Sequence, residues 1–149
     1  MNKAIKNGAS GKDTSNKKEG NKMNREIKFR GKCERSDEWC YGSLVDYGYD
    51  EMPEIQGFDV FREGNDNWKE IKVIPETVGQ FTGLYDKTGK GIYEADRILI
   101  NINHYVVIFY KGMFAIEVEG CGYIPLRNVS TVCKVIGNVF DNPELLKVK

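Results

Sequence analysis

Ile98-Leu99-Ile100-Asn101-Ile102-Asn103-His104-Tyr105-Val106-Val107-Ile108-Phe109-Tyr110-Lys111-Gly112-Met113-Phe114-Ala115-Ile116-Glu117-Val118 decides the fold class. Short apolar runs rich in β-branched and aromatic residues alternate with two polar breaks. Such runs are too short and too punctuated for helices and read as strands. Asn103-His104 is expected to be a tight hairpin turn, and Lys111-Gly112 a second one.

The same grammar extends outward. Ile27-Lys28-Phe29-Arg30 alternates. Trp39 to Val45 is aromatic and then apolar. Phe58 to Phe61 leads into Glu63-Gly64-Asn65-Asp66-Asn67, a strong turn cluster. Trp68 to Ile74 is stopped by Pro75, and Val78 to Tyr85 follows. Val132 to Phe140 forms the last strand. No segment carries a long 3.6-residue stripe. Two short helical turns are allowed, near Leu126 to Ser130 and at Asn142-Pro143-Glu144-Leu145-Leu146, where Asn142 caps and Pro143 suits the first position. The expected fold is all-β, with many short strands and a small, partly open barrel portion.

Composition narrows the function classes. The chain has 149 residues, 22 basic and 22 acidic. That length suits one domain over residues 23–149. The charge is unevenly spread. Residues 1–22 hold six lysines against Asp13 and Glu19, a net +4, and the remainder is −4. This basic tail has too few apolar residues to offset ordering entropy and is expected to be disordered. It is a solvated extension, an artefact preceding a start at Met23, or a basic arm for nucleic acid or a partner. No run approaches the ~18 apolar residues of a membrane span. No apolar stretch follows the first lysines, so a secretory signal is not expected and a cytoplasmic setting is.

Chemistry-bearing motifs are sparse. His104 is the only histidine, which excludes multi-histidine sites. Cys33, Cys40, Cys121 and Cys133 are spaced C-x6-C and C-x11-C, without the close knuckle of zinc modules. Free thiols are expected, with Cys133 in the core. No glycine-rich loop leads into a helix, so phosphate-loop and dinucleotide fingerprints are missing. No catalytic residue, metal or cofactor is assigned. Asp86-Lys87-Thr88-Gly89-Lys90 reads as a hairpin turn; as a function it would be a backbone nest for an anion. Gly79 and Gly83 suggest a bulge or a close backbone approach. Glu94-Ala95-Asp96 reads as a polar turn.

Glu76 to Lys90, with Thr77-Val78-Gly79-Gln80-Phe81-Thr82-Gly83-Leu84-Tyr85-Asp86 at its centre, and Ile92-Tyr93-Glu94-Ala95-Asp96 after it, resemble the core motif of the YopX-like phage protein family. Arg25 to Arg30 resembles the family's opening strand, and Val135 to Leu146 its closing segment. Gly91 stands where a charged residue is common, and Ala95 where a glycine is common. The acidic stretch from Asp46 to Glu54 is particular to this chain. The resemblance implies a mostly β protein with an SH3-like barrel portion, carried by phages or prophages of Gram-positive hosts. It implies no activity.

Aromatic residues Trp39, Tyr41, Tyr47, Tyr49, Phe58, Phe61 and Trp68 are interleaved along the chain with Asp46, Asp50, Glu51, Glu54 and Asp59. A nucleic-acid reader would place lysines and arginines between its aromatics, so the acidic body argues against nucleic acid. The leading expectation is a non-enzymatic accessory module that docks on a host or phage protein, or self-assembles. Its contact residues would be Trp39, Tyr41, Tyr47, Tyr49, Asp50 and Glu51, with aromatic anchors in an acidic setting. Charge reversal at Asp50 and Glu51 should then weaken the complex. The second expectation is a nucleotide or small-molecule sponge using Gln80, Thr82, Asp86, Tyr93 and Arg97. The third is a nucleic-acid-binding barrel helped by the tail lysines.

Overall fold

The computed structural model describes residues 24–48, 51–58 and 68–144. The tail at 1–22, together with Tyr49, Asp50, Asp59 and Phe61, lies outside them. Twelve strands run in chain order: β1 (Phe29–Lys32), β2 (Trp39–Val45), β3 (Glu54–Phe58), β4 (Trp68–Lys72), β5 (Gly79–Tyr85), β6 (Gly91–Tyr93), β7 (Asp96–Ile100), β8 (Asn103–Val106), β9 (Ile108–Tyr110), β10 (Met113–Val118), β11 (Gly122–Pro125) and β12 (Lys134–Asn138). Pro75–Thr77 and Leu126–Asn128 form single 3₁₀ turns. The all-β expectation holds, with only short helical turns.

All pairings are antiparallel and make three sheets. The largest has the order β4-β3-β2-β1-β5-β6; the others are β11-β10-β9 and β12-β7-β8. Among the described residues none closes into a barrel. The core joins the two smaller sheets. Ile98, Val107, Ile116, Leu126, Cys133 and Val135 are buried together, and Ile92 enters from β6. Full burial of such side chains stabilises by about 1.5–3 kcal/mol each.

One turn differs from the sequence reading. The β7–β8 turn is Asn101-Ile102, not Asn103-His104, and Asn101 takes the left-handed φ of +54°. Asparagine tolerates that conformation. His104 consequently lies within β8, paired opposite Leu99. Strands β6 and β11 were not expected at all. They are three and four residues long, too short for periodicity to register.

Close backbone approaches knit the large sheet to the rest. A Cβ on Gly79 would stand 2.9 Å from the carbonyl oxygen of Glu94, so only glycine lets the 94–95 turn lie against β5. A Cβ on Gly91 would stand 3.0 Å from the Phe81 ring. This explains glycine where a charged residue was expected. The β5–β6 register shifts between Phe81 and Tyr85, the bulge expected around Gly83. Ala95 holds φ +67° in the turn before β7, a conformation that costs an L-residue roughly 1–2 kcal/mol.

Candidate functional site

Strand β1 carries its charges in alternation. In Lys28-Phe29-Arg30-Gly31-Lys32, the period of two places Lys28, Arg30 and Lys32 on one face. The register brings aromatic residues to the same face from both sides. Arg30 stands opposite Tyr41, and Lys32 opposite Trp39. On the other flank, the N–H of Phe81 donates to the carbonyl of Lys28 at 2.8 Å, and Phe81 pairs with Tyr93.

Contacts follow from that register. The Lys28 ammonium lies 4.6 Å from the Phe81 ring centre. The Arg30 guanidinium is sandwiched, 4.6 Å from the Trp39 ring and 4.9 Å from the Tyr93 ring. The Lys32 ammonium lies 5.7 Å from Trp39. Each such contact is worth about 0.5–2 kcal/mol, depending on desolvation. The rings also touch one another: Tyr41 with Tyr93 at 5.6 Å, Tyr93 with Phe81 at 5.3 Å, and Phe81 with Tyr85 at 5.5 Å. The result is a row of rings with cations set between them.

Carboxylates lock the floor. Arg30 Nη2 pairs with Asp96 Oδ1 at 2.7 Å, with both side chains buried. The same nitrogen donates to the Glu94 carbonyl at 3.2 Å. Asp96 Oδ2 accepts the Tyr93 N–H at 2.8 Å. Burial pushes the Asp96 carboxyl up, against the pull of Arg30. Burial likewise pushes the Tyr93 hydroxyl well up, so it stays protonated. At the other end, Asp141 accepts from Trp39 Nε1 at 2.7 Å and Asn138 Nδ2 at 2.8 Å, and pairs with Lys32 at 2.7 Å. Burial alone would raise the Asp141 pKa; Lys32, Asn138 and Trp39 outweigh it and hold it at about 2. The bond to Asp141 is also the main reason that the Lys32 pKa is raised.

Above this floor runs an open groove of about 460 Å³. Its walls include Tyr41, Tyr85 and Lys90, with Gly137 and Asn142 across from them. Tyr41 is 43% exposed and Tyr85 50% exposed. Lys90 makes no ion pair among the described residues. Its position is set by Asp86, whose Oδ1 accepts the N–H of Lys90 at 3.0 Å, the N–H of Thr88 at 2.8 Å and the Thr88 hydroxyl at 2.6 Å. Asp86 Oδ2 accepts the N–H of Val135 at 2.8 Å. Burial opposes the charge, but these donors hold the Asp86 pKa at about 2. A second hollow of about 580 Å³ shares Tyr85 with the groove and is lined also by Asn24, Arg25, Glu26 and Ile27.

The residues singled out by sequence separate. Trp39 and Tyr41 line the groove, beside cations. Tyr47 and Glu51 stand elsewhere, near the β3–β4 edge of the same sheet. Tyr47 is exposed and donates to Glu70 at 3.4 Å. There Glu54 is pushed up by burial and by a hydrogen bond shared with Glu70. Of the second set, Tyr93 alone lines the groove. The Thr82 hydroxyl is buried and donates to the Ile92 carbonyl at 2.7 Å. Asp86 holds its turn, Gln80 is half-buried, and Arg97 is buried in β7. Lys28, Arg30 and Lys90 were missed. The signal available for the first two was the alternation from Lys28 into β1.

Chemically, the groove offers ring faces and cationic donors. Its carboxylates are committed to Arg30, Lys32, Trp39, Asn138 and the Tyr93 N–H. Among the described residues no group of three or more His, Cys, Asp or Glu could hold a metal ion.

Comparison with known proteins places this arrangement in a family. No curated protein matches the chain. A solved structure, that of protein EF1440 from Enterococcus faecalis, is similar at a TM-score of 0.52 and 19% identity, covering 83% of this chain and 99% of that one. At that identity the likeness concerns the fold. The YopX protein family matches residues 28–147, a span that holds every strand described above, and the chain belongs to that family.

Proposed function

We propose that the protein is a non-enzymatic binding module whose docking face is the ring-and-cation groove, and that it engages an anionic chain presented by a host or phage component in the bacterial cytoplasm. One observation carries this reading. The fold sets Arg30 and Lys32 of β1, and Lys28 just before it, beside aromatic residues of β2, β5 and β6, and leaves open space above them that no described side chain fills. Exposed rings beside unfilled space are the usual anchors of a binding face. Lys90 supplies a cation with no ion pair among the described residues.

The committed state of Asp96 and Asp141 supports binding over catalysis. A general base must be free to take a proton from its substrate. Here each carboxylate already accepts from two or more protein groups. The prophage accessory role implied by the family resemblance belongs to the same proposal.

The test is native mass spectrometry on full-length protein purified gently from its bacterial host. The expected result is a bound species on the wild type that is lost from Lys90→Glu and from Tyr41→Ala. A bound species retained by both variants would contradict the placement of the docking face.

A further inference from the structure

We propose that the groove takes single-stranded nucleic acid, with bases stacked on Tyr41 and Tyr85 and the sugar–phosphate chain passing Lys90 and Lys28 toward Arg25. This rests on the reading of the groove as the docking face and names its ligand.

Three observations favour a base-bearing chain over an acidic peptide. First, the exposed walls are aromatic as well as cationic. Carboxylates need only the cations; bases also use the rings, at about 1–3 kcal/mol per stacked base. Tyr41 and Tyr85 are the two groove rings with the most free surface. They sit at the two ends of the row that runs through Tyr93 and Phe81, so they present separate platforms.

Second, the cations lie beside the rings, where phosphates of a stacked strand would pass. Lys90 has no ion pair among the described residues. Among the described residues Lys28 pairs with Glu26, at 3.1 Å and partly exposed. Such surface pairs are weak and give way to a phosphate at small cost.

Third, the lysine-rich segment joins the body beside this valley. Asn24 and Arg25, the first described residues, line the hollow that shares Tyr85 with the groove. The preceding residues 1–22 carry a net +4. Binding of a polyanion through these cations is salt-dependent. The rings need unstacked bases, so a single strand fits and a duplex does not.

The experiment is fluorescence anisotropy on the full chain with three labelled probes: a short oligothymidine, a duplex of the same length and a polyglutamate peptide. Circular dichroism checks that each variant is folded. The expected result is oligothymidine binding that weakens steeply with salt and falls about tenfold in Tyr41→Ala, matching one lost stacked base. Lys90→Glu should weaken it further and flatten the salt slope. Polyglutamate binding that is lost in Lys90→Glu but unchanged in Tyr41→Ala, with no oligothymidine binding, overturns the ligand and leaves the docking face standing. Oligothymidine binding indifferent to both variants overturns the groove as its seat. Equal affinity for the duplex overturns the single-strand assignment.

Discussion

The groove and the acidic edge belong to one six-stranded sheet, yet they treat charge in opposite ways. In the groove, cations are held beside rings and against carboxylates: Arg30 on the buried Asp96, Lys32 on Asp141. At the edge, like charges crowd together. Glu54 shares a hydrogen bond with Glu70, and Tyr47 donates to Glu70 from an exposed position. The groove is a preorganised surface; the edge is a solvated one. The difference teaches that residue type along the chain does not decide the sign of a site. Trp39 and Tyr41 are followed in sequence by acids, yet their cross-strand partners are Lys32 and Arg30.

The largest effect that could break this contrast is at Arg30. Arg30→Ala leaves Asp96 buried without its partner, and such losses cost about 3–5 kcal/mol. Urea unfolding should show that loss, with Glu70→Ala at the edge changing stability far less. Equal losses at the two sites would erase the distinction.

Next comes Asp86, which places Lys90 on the groove wall. Its folded pKa of about 2 lies below the ordinary 3.8. The unfolded chain therefore binds the proton more readily. The stability from Asp86 is complete above pH ~4 and is lost as pH falls toward 2. It amounts to roughly 2 kcal/mol. Asp86→Asn should lose about that much at neutral pH and flatten the acid limb between pH 4 and 2. An unchanged acid limb would show that the four donated bonds do not stabilise the turn.

Ala95→Gly works in the opposite direction. Removing the Cβ relieves the left-handed strain and offsets the entropy that glycine adds to the unfolded chain. A gain of up to about 1 kcal/mol is expected. A loss would mean that the Ala95 methyl contributes packing that outweighs the strain. The smallest effect belongs to the edge. Glu54→Gln removes a repulsion with Glu70 and should raise Tm slightly at neutral pH, with no change in groove binding. Glu51→Lys likewise should leave groove binding intact. Weakened binding in either variant would move the docking face toward the edge.

Much of the fold was legible in the residues. Strands β2 and β10 fall where aromatic and β-branched runs put them, and β5 starts at Gly79, one residue later. The Asp86–Lys90 turn is where a D-x-x-G pattern calls for one. The β7–β8 turn was misplaced by two residues because Asn101 and Asn103 are equally turn-prone, and only pairing chooses between them. The site was less legible for a physical reason. Interleaving of cations and rings is missing along the chain from Trp39 to Phe61. The fold achieves it across strands, with β1 supplying cations and β2, β5 and β6 supplying rings. Lys28, Arg30 and Lys32 at a period of two were a visible clue. Which rings would face them depends on sheet order, which no local pattern encodes.

The central claim is that the groove, and not the edge, is the binding face. Titrating the isotope-labelled full chain with oligothymidine while following backbone amide and aromatic NMR signals tests it most directly. Shifts are expected at Tyr41, Tyr85, Lys90, Gly91 and Tyr93, with Tyr47, Glu54 and Glu70 unmoved. Shifts confined to the edge, or no shifts at concentrations that saturate other probes, would contradict it.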